Sequence, residues 1–437
     1  MRFIALLLAP ALLGAQEPMS AMIDTTARPI ALDEAVRLAQ QNSIQAIQAR
    51  GTMRTSSASV RSSFAAAFLP SISLSTGAGW SGGQGDRVDD QGRVISGGNW
   101  NYSNGLSMSM TLFDGGRSWY NLSNARASAE AAEVGELQTR FNVALTVKQQ
   151  YFAVLAARDQ IAAAHASFEQ AEWQYRAARA RVEAGSAIIS DTLRAVIQMG
   201  TARLAVLQAE RALHNANASL TRTVASPQIV TALPDTTMDW VDLDADSIRL
   251  QQLALVAPAV QTARANLTAA EAGAKAARAP YLPSVGMSYN RSGGGRDSQF
   301  GWGDRSYNYQ SRVSFSLSYP LFDRFNRERS AISARVAADN AEATLRDAEL
   351  KARADLVLYA GQLHIAQEQI RIGEMSVAAA EEDLRVQQMR YELGSSTLLD
   401  VLTSQTQLNT ARTSLIAARF SYRQAKAQLE ALLGRDL

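Results

Sequence analysis

The chain has 437 residues, a net charge of +2 and no cysteine. Its 43 Lys and Arg nearly balance its 41 Asp and Glu, which excludes the strongly basic surface typical of nucleic-acid-binding proteins. The absence of cysteine excludes disulfides, cysteine metal sites, catalytic thiols and a lipid-modified N-terminal cysteine.

The N-terminus has the pattern of an export signal. Arg2 precedes an apolar run over residues 3–13, and Gly14 and Ala15 provide a small-residue cleavage site. We therefore expect residues 1–15 to be a signal peptide. A short transmembrane anchor is the alternative, but the run is short for a membrane span. No later stretch has eighteen apolar residues, and an exported chain of this kind can still cross a membrane as a β-barrel.

The remainder is predicted to be two copies of one unit. The segment RVEAGSAIISDTL begins at Arg181, and RYELGSSTLLDVL begins 209 residues later at Arg390. The matching positions are Arg181, Gly185 and Asp191 in the first segment and Arg390, Gly394 and Asp400 in the second. We expect a first repeat over 16–225, an equatorial linker over 226–246 and a second repeat over 247–437.

Each repeat is predicted to contain a helix, a β-hairpin, a very long helix and a returning helix. In the first repeat the hairpin is expected at about 69–114, the long helix at 117–184 and the returning helix at 192–224. In the second repeat the same elements are expected at about 282–322, 324–393 and 397–433. A helix of nearly 70 residues is roughly 100 Å long.

The hairpins are predicted from alternation with a period of two. One face is apolar and the other is mostly Ser and Gly, as SISLSTGAGW at residues 71–80 illustrates. Aromatic residues lie near the loop ends, as in the belts of membrane barrels: Trp80, Trp100, Trp302, Tyr307 and Tyr309. The returning helices have apolar residues and alanines spaced by seven, which predicts coiled-coil packing.

Four strands per chain are too few to close a membrane barrel, since the smallest have about eight. Open strand edges in lipid leave backbone groups unpaired at several kcal/mol each. Hairpins inserted in a membrane must therefore form a barrel shared between chains. A soluble hairpin pair packed on helices is the alternative.

The sequence resembles the TolC-like outer membrane efflux proteins. The residues that carry the resemblance are ALDEAVRLAQQN at 31–42, the FLP and YLP exits from helix to strand, LFDGG before the first long helix, and RYELGSSTLLDVL. The resemblance implies a mainly α fold with a membrane β-barrel, formed by a homotrimer. Twelve shared strands, four from each chain, would be continued by a long α-helical coiled-coil barrel.

The resemblance also implies a function for the two repeated turns. They would lie at the periplasmic end, where the adaptor (membrane fusion) protein of an inner-membrane pump docks. Arg181, Gly185, Arg390 and Gly394 would shape these docking turns. In relatives a Tyr and an Asp from neighbouring turns hold the closed state, and Tyr391 and Asp191 match them. Asp400 would contribute to a carboxylate ring at the entrance.

The chain departs from the family pattern at two positions. Ser396 stands where an Arg locks the gate, and Thr403 where a second Asp ring would lie. Both differences favour a weaker lock and a less negative entrance.

Structural roles explain the same residues without a gate. Thr397 and Asp400 have the spacing of a capping box, whereas Ile188 prevents one in the first copy. Arg181 and Arg390 are cations suited to the C-terminal ends of helices. Gly185 and Gly394 suit helix C-caps. The alternative role for Tyr391 is packing at the turn.

The predicted function is an outer membrane exit channel of a tripartite efflux or type I secretion complex, located in the outer membrane and extending into the periplasm. We predict no enzyme activity and no cofactor: GWSGG at 79–83 has the spacing of a nucleophile elbow but lacks the helix that should follow. The alternatives are a periplasmic coiled-coil adaptor or scaffold and, less well supported, a secreted hydrolase.

Overall fold

The computed structural model describes residues 27–82, 87–88, 91, 94–95, 98–185, 187–234, 240–241, 247–297 and 308–437. The expected signal peptide and the aromatic residues Trp302 and Tyr307 lie outside these ranges. The described chain is mainly helical with one four-stranded sheet.

The elements of the first repeat and the linker are β1 (Arg28–Ile30), α1 (Leu32–Asn42), α2 (Ile44–Phe68), β2 (Ser71–Gly82), β3 (Arg87–Val88), β4 (Val94–Ile95), β5 (Gly98–Phe113), α3 (Arg117–Glu183), α4 (Ile189–Val224) and β6 (Val230–Ala232). The elements of the second repeat are α5 (Ser247–Leu255), α6 (Pro258–Arg278), β7 (Ser284–Asp297), β8 (Asn308–Ser318), α7 (Asn326–Glu392) and α8 (Leu398–Leu433).

The four long strands form one antiparallel sheet in the order β2-β5-β7-β8. Its register aligns the apolar residues of neighbouring strands: Leu74 pairs with Leu106, and Met287 pairs with Phe315. The sequence alternation therefore identified the apolar face of the sheet. A register shift between Thr111 and Phe113 leaves Leu112 between paired residues near the end of β5, and Phe113 still pairs with Val285.

The turns from sheet to long helix differ between the two repeats. Gly115 and Gly116 have φ values of 71° and 84°, and a Cβ on Gly115 would approach the Ala279 carbonyl oxygen to 2.5 Å. At the matching positions of the second repeat, Arg324 and Phe325 adopt φ values of 58° and 62°. The left-handed conformation strains non-glycine residues by roughly 1–2 kcal/mol each. The turn that leads into α7 is therefore strained, whereas the turn that leads into α3 avoids this strain with glycine.

The chain divides into two compact units. The first comprises the described part of Met1–Ala39 together with Thr146–Met238 and Gln369–Phe420. The second comprises Gln40–Leu145, Asp239–Glu368 and Ser421–Leu437. Each unit contains helical segments from both repeats, so the spatial division does not follow the sequence duplication.

The first unit contains a strand pair that the sequence analysis did not predict. β1 pairs in parallel with β6, matching Arg28 with Val230. The buried Tyr151 hydroxyl lies 3.2 Å from both the Ile30 and the Leu233 carbonyl oxygens. Arg158 donates to the Thr231 hydroxyl at 2.8 Å. A helix side chain therefore fastens each of these short strands.

The heptad spacing of the returning helices corresponds to buried side chains. In α8 these are Val401, Leu408, Tyr422 and Leu429, and in α4 Ala195, Ala202, Val206, Ala209 and Leu220. In the first unit Val206 and Ala209 pack on Ala164 of α3, as expected for coiled-coil helices. None of the described helices is both long and apolar enough to span a membrane.

Candidate functional site

The candidate site consists of the two turns that end the long helices, and both lie in the first unit. We call residues 184–188, between α3 and α4, the first turn, and residues 393–397, between α7 and α8, the second turn. Gly185 and Gly394 have φ values of 73° and 75°, so both hold the left-handed conformation that glycine adopts readily. Nothing lies within 4 Å of a Cβ built on either glycine. Glycine is therefore needed at these positions for its backbone conformation and not for lack of space.

The second turn has the hydrogen bonds of a Schellman cap. Gly394 N–H donates to the Tyr391 carbonyl at 3.0 Å, and Ser395 N–H donates to the Arg390 carbonyl at 2.8 Å. The Ser395 hydroxyl also donates to the Arg390 carbonyl, at 3.0 Å. These bonds satisfy helix-terminal carbonyls and fix the direction in which the chain leaves α7.

Arg181 joins the end of α3 to the end of α7. Its Nη1 donates to the Tyr391 carbonyl at 2.9 Å, and its guanidinium carbon lies 4.5 Å from the centroid of the Tyr391 ring. Sequence reasoning assigned Arg181 to its own helix end. The structure instead directs it to the other repeat, where it contacts both the backbone and the ring of one residue.

Tyr391 is almost fully buried at 5% exposure. It packs in a cluster with Leu384, Leu398, Val401 and Leu408. Its hydroxyl is also buried, and no described residue hydrogen-bonds to it. Tyr391 therefore combines a structural role, as part of a core, with a polar atom that the isolated chain leaves unsatisfied.

Asp400 forms the expected capping box. Its Oδ2 accepts from the Thr397 backbone N–H at 2.8 Å and from the Thr397 hydroxyl at 2.7 Å, and the Asp400 N–H donates back to that hydroxyl at 3.3 Å. The hydrogen bonds from Thr397, with a smaller contribution from the charge of Arg390, lower the pKa of the Asp400 carboxyl. The carboxylate is therefore ionised and solvent-facing at neutral pH.

Asp191 lies in a different environment. It lies at the N-terminal end of helix α4. The N-cap residue of this helix, Ile188, provides no side-chain hydrogen bond. Within the described part of the chain, the Asp191 carboxylate has no hydrogen-bond or ion-pair partner, Tyr391 included. The structure thus brings Arg181 and Tyr391 together and leaves Asp191 available.

A series of polar residues on α3 escaped the sequence analysis. Ser167, Gln174 and Arg181 are spaced by seven, so they lie on one helical face. Ser167 accepts from Asn409 of α8 at 3.0 Å. Gln174 is 2% exposed, and no described residue hydrogen-bonds to its amide. The signal was available in the sequence, because polar residues recur at intervals of seven along this part of α3.

Among the described residues, no group of three or more His, Asp or Glu could hold a metal ion. The paired turns instead offer charge, shape and one intramolecular contact.

The family model described as outer membrane efflux protein matches residues 32–226 and 250–435. The chain therefore belongs to the outer membrane efflux protein family. The two matched segments correspond to the two repeats, and the predicted fold class is confirmed. The family is one of passive outer membrane channels with a periplasmic helical tunnel, so the predictions of location and of a non-enzymatic protein are also confirmed.

Three individual comparisons agree with this assignment. The outer membrane protein TolC of Vibrio cholerae is 24% identical over 379 residues, covering 84% of this chain and 82% of TolC. The pyoverdine export outer membrane protein OpmQ of Pseudomonas aeruginosa is 27% identical over 386 residues, covering 84% of this chain and 78% of OpmQ. The crystal structure of the outer membrane protein VceC of Vibrio cholerae superposes with a TM-score of 0.76 at 18% identity, covering 93% and 96% of the two chains.

Proposed function

We propose that three copies of this chain form one exit duct, which passively conducts solutes from an inner-membrane pump across the periplasm and the outer membrane. A periplasmic adaptor protein would connect the duct to the pump. The duct has no energy source of its own, and the pump drives transport.

The open sheet is the observation that carries this proposal. β2 and β8 each have one hydrogen-bonded neighbour in the described sheet. The apolar face that they share exposes Leu74, Phe315 and Leu317 to the surroundings. Unpaired strand edges are excluded from lipid by their backbone cost. Pairing β8 of one copy with β2 of the next satisfies the backbone hydrogen bonds at the strand edges. The apolar face of the closed sheet can then lie against lipid.

The helix α4 supports association between copies in the first unit. Exposed aliphatic side chains follow one face of α4: Ile189, Leu193, Val196, Leu204 and Leu207. Their spacing by three, four or eight keeps them on a single stripe. A stripe of this length is unfavourable in water, and burying it against a neighbouring copy removes that cost.

We infer a gating and docking role for the paired turns. Asp191, Tyr391 and Asp400 would control the entrance, while Arg181, Gly185, Arg390 and Gly394 would set the shape that the adaptor meets. The contact of Arg181 with Tyr391 supports this role, because it couples the two turns within one chain. A trimer would present six such turns.

The test is to extract the mature protein from outer membranes in detergent and measure its subunit number by native mass spectrometry. Reconstitution into planar bilayers should then give discrete conductance steps. Three copies with conductance are expected. A water-soluble monomer without membrane insertion would overturn the proposal and favour a periplasmic coiled-coil adaptor or scaffold.

A further inference from the structure

The polar face of the four-stranded sheet carries one charged residue over the positions given below, and the next position of β7 on this face, paired with Asn101, is a second arginine, Arg296. Its described positions are 71–81 of β2, 101–111 of β5, 284–294 of β7 and 310–318 of β8, taking every second residue. These positions hold Ser, Gly, Asn, Thr and Gln, together with a single charged residue, Arg312. No carboxylate shares the face at these positions.

The register aligns these side chains in rows across all four strands. One row consists of Ser71, Ser109, Ser288 and Ser314. The next row consists of Ser73, Ser107, Asn290 and Arg312. Hydroxyl pairs connect the first two strands, at 2.7 Å for Ser71 and Ser109 and at 2.6 Å for Ser73 and Ser107. The Arg312 row is therefore rich in hydrogen-bond donors.

Arg312 is exposed and makes no hydrogen bond or ion pair with any residue that the structure describes. Its guanidinium is positively charged and offers five N–H donors and no acceptor. Its cross-strand neighbour Asn290 adds two amide donors. Nothing on the described face neutralises the charge, so the row attracts anions.

We propose that the Arg312 row is an anion-attracting belt in the duct, which favours acidic solutes bearing carboxylate, phosphate or sulfonate groups. The inference rests on the proposed function, because three copies would place three guanidinium groups around one water-filled lumen. Charges of one sign along a low-dielectric wall raise the local concentration of the opposite ion. Arg312 is thus a specificity-determining residue for passage through the sheet.

The absence of cysteine permits a direct measurement of the local potential. Ser288→Cys puts one thiol in the serine row, beside the Arg312 row and on the same face. The protein is embedded in lipid vesicles and treated separately with a negatively charged and a positively charged methanethiosulfonate reagent. The ratio of the two modification rates reports the sign of the potential at that row.

We expect Arg312→Gln to lower the anion-to-cation rate ratio by about fivefold at low salt, with a smaller effect at high salt. Arg312→Lys should keep the ratio. The matched control is Arg291→Gln, which removes the same charge from the opposite face, where Arg291 contacts the Tyr309 ring at 5.2 Å. This control should leave the ratio unchanged.

Two results would overturn the inference, and they are distinguishable. If the thiol reacts with both reagents but Arg312→Gln leaves the ratio unchanged, the belt is wrong and the duct stands. If the thiol reacts with neither reagent, the polar face is not a water-filled lumen and the proposed duct fails as well.

Discussion

The guanidinium of Arg181 lies against the ring of Tyr391, 4.5 Å from its centroid, and donates to the carbonyl of the same residue at 2.9 Å. That carbonyl also accepts from Gly394 N–H. The Tyr391 carbonyl oxygen therefore accepts both the hydrogen bond that closes the second turn and the hydrogen bond that connects this turn to Arg181 of the first repeat. When either turn moves, the other turn must move with it or the contact between Arg181 and Tyr391 must break.

Removing this contact should loosen the paired turns. Arg181→Ala removes a charge-assisted hydrogen bond and a ring contact that together contribute about 1–2 kcal/mol. We expect a higher single-channel conductance in planar bilayers. Arg179→Ala is the matched control, because Arg179 pairs with Glu183 of its own helix at 2.8 Å and should leave conductance unchanged. Equal effects of the two variants would contradict a specific role for Arg181.

Asp191 and the Tyr391 hydroxyl are expected to pair between neighbouring turns of the closed duct, for which the Tyr391 ring must turn out of the cluster that buries it in one chain. Both lack a partner among the described residues of one chain. Asp191→Ala and Tyr391→Phe should each raise conductance, and the double variant should raise it no further, because both changes remove one interaction. Conductance measurements on the three variants form a double-mutant cycle. Additive effects would show that the residues act separately.

The cap and the charge of Asp400 can be separated by two substitutions. Thr397→Ala removes a partner in the capping box and should cost about 1 kcal/mol of stability, but it keeps the carboxylate. Asp400→Asn removes the charge. Reversal potentials in a salt gradient should show reduced cation preference for Asp400→Asn alone. If both variants alter selectivity equally, the shape of the turn rather than the charge is responsible.

Acid should weaken the start of α8. Because hydrogen bonds from Thr397 lower the pKa of Asp400, the ionised cap contributes stability at pH values above the unfolded pKa of about 3.9. That contribution is lost as the pH falls through the lowered folded pKa. Limited pepsin digestion between pH 2 and 5 should show increasing cleavage near the second turn at the acid end. Asp400→Asn should make the cleavage less dependent on pH.

Relieving the strained turn should stabilise the protein. Arg324 has a φ of 58° where the first repeat has Gly115, so Arg324→Gly removes left-handed strain worth roughly 1 kcal/mol. Thermal unfolding in detergent should shift upwards. Arg346→Gly, at an exposed position within α7, should instead shift it downwards, because glycine costs about 1 kcal/mol in a helix interior. A downward shift for both variants would mean that Arg324 is not strained.

The sheet was predictable because its signal is local. Alternating residues such as Ile72 and Leu74 indicated the apolar face without knowledge of the partner strand, and the register confirms that face. The capping box of Thr397 and Asp400 was predictable for the same reason, since it needs four consecutive residues.

The contacts between repeats were not predictable. Arg181 and Tyr391 lie 210 residues apart, and each residue also suits its own helix end. The pairing of β1 with β6 was missed because each strand has three residues, too few for a period to be visible. In both cases tertiary geometry, rather than local pattern, determined the outcome.

The β1–β6 pair has a consequence for biogenesis. Arg28 lies near the N-terminus, and its partner Val230 follows about 200 residues later. Most of the first repeat therefore emerges before β1 can pair with β6. Pairings over such separations form slowly, because the intervening loop must be ordered first. β1 must therefore wait unpaired until the segment that contains β6 has been translocated.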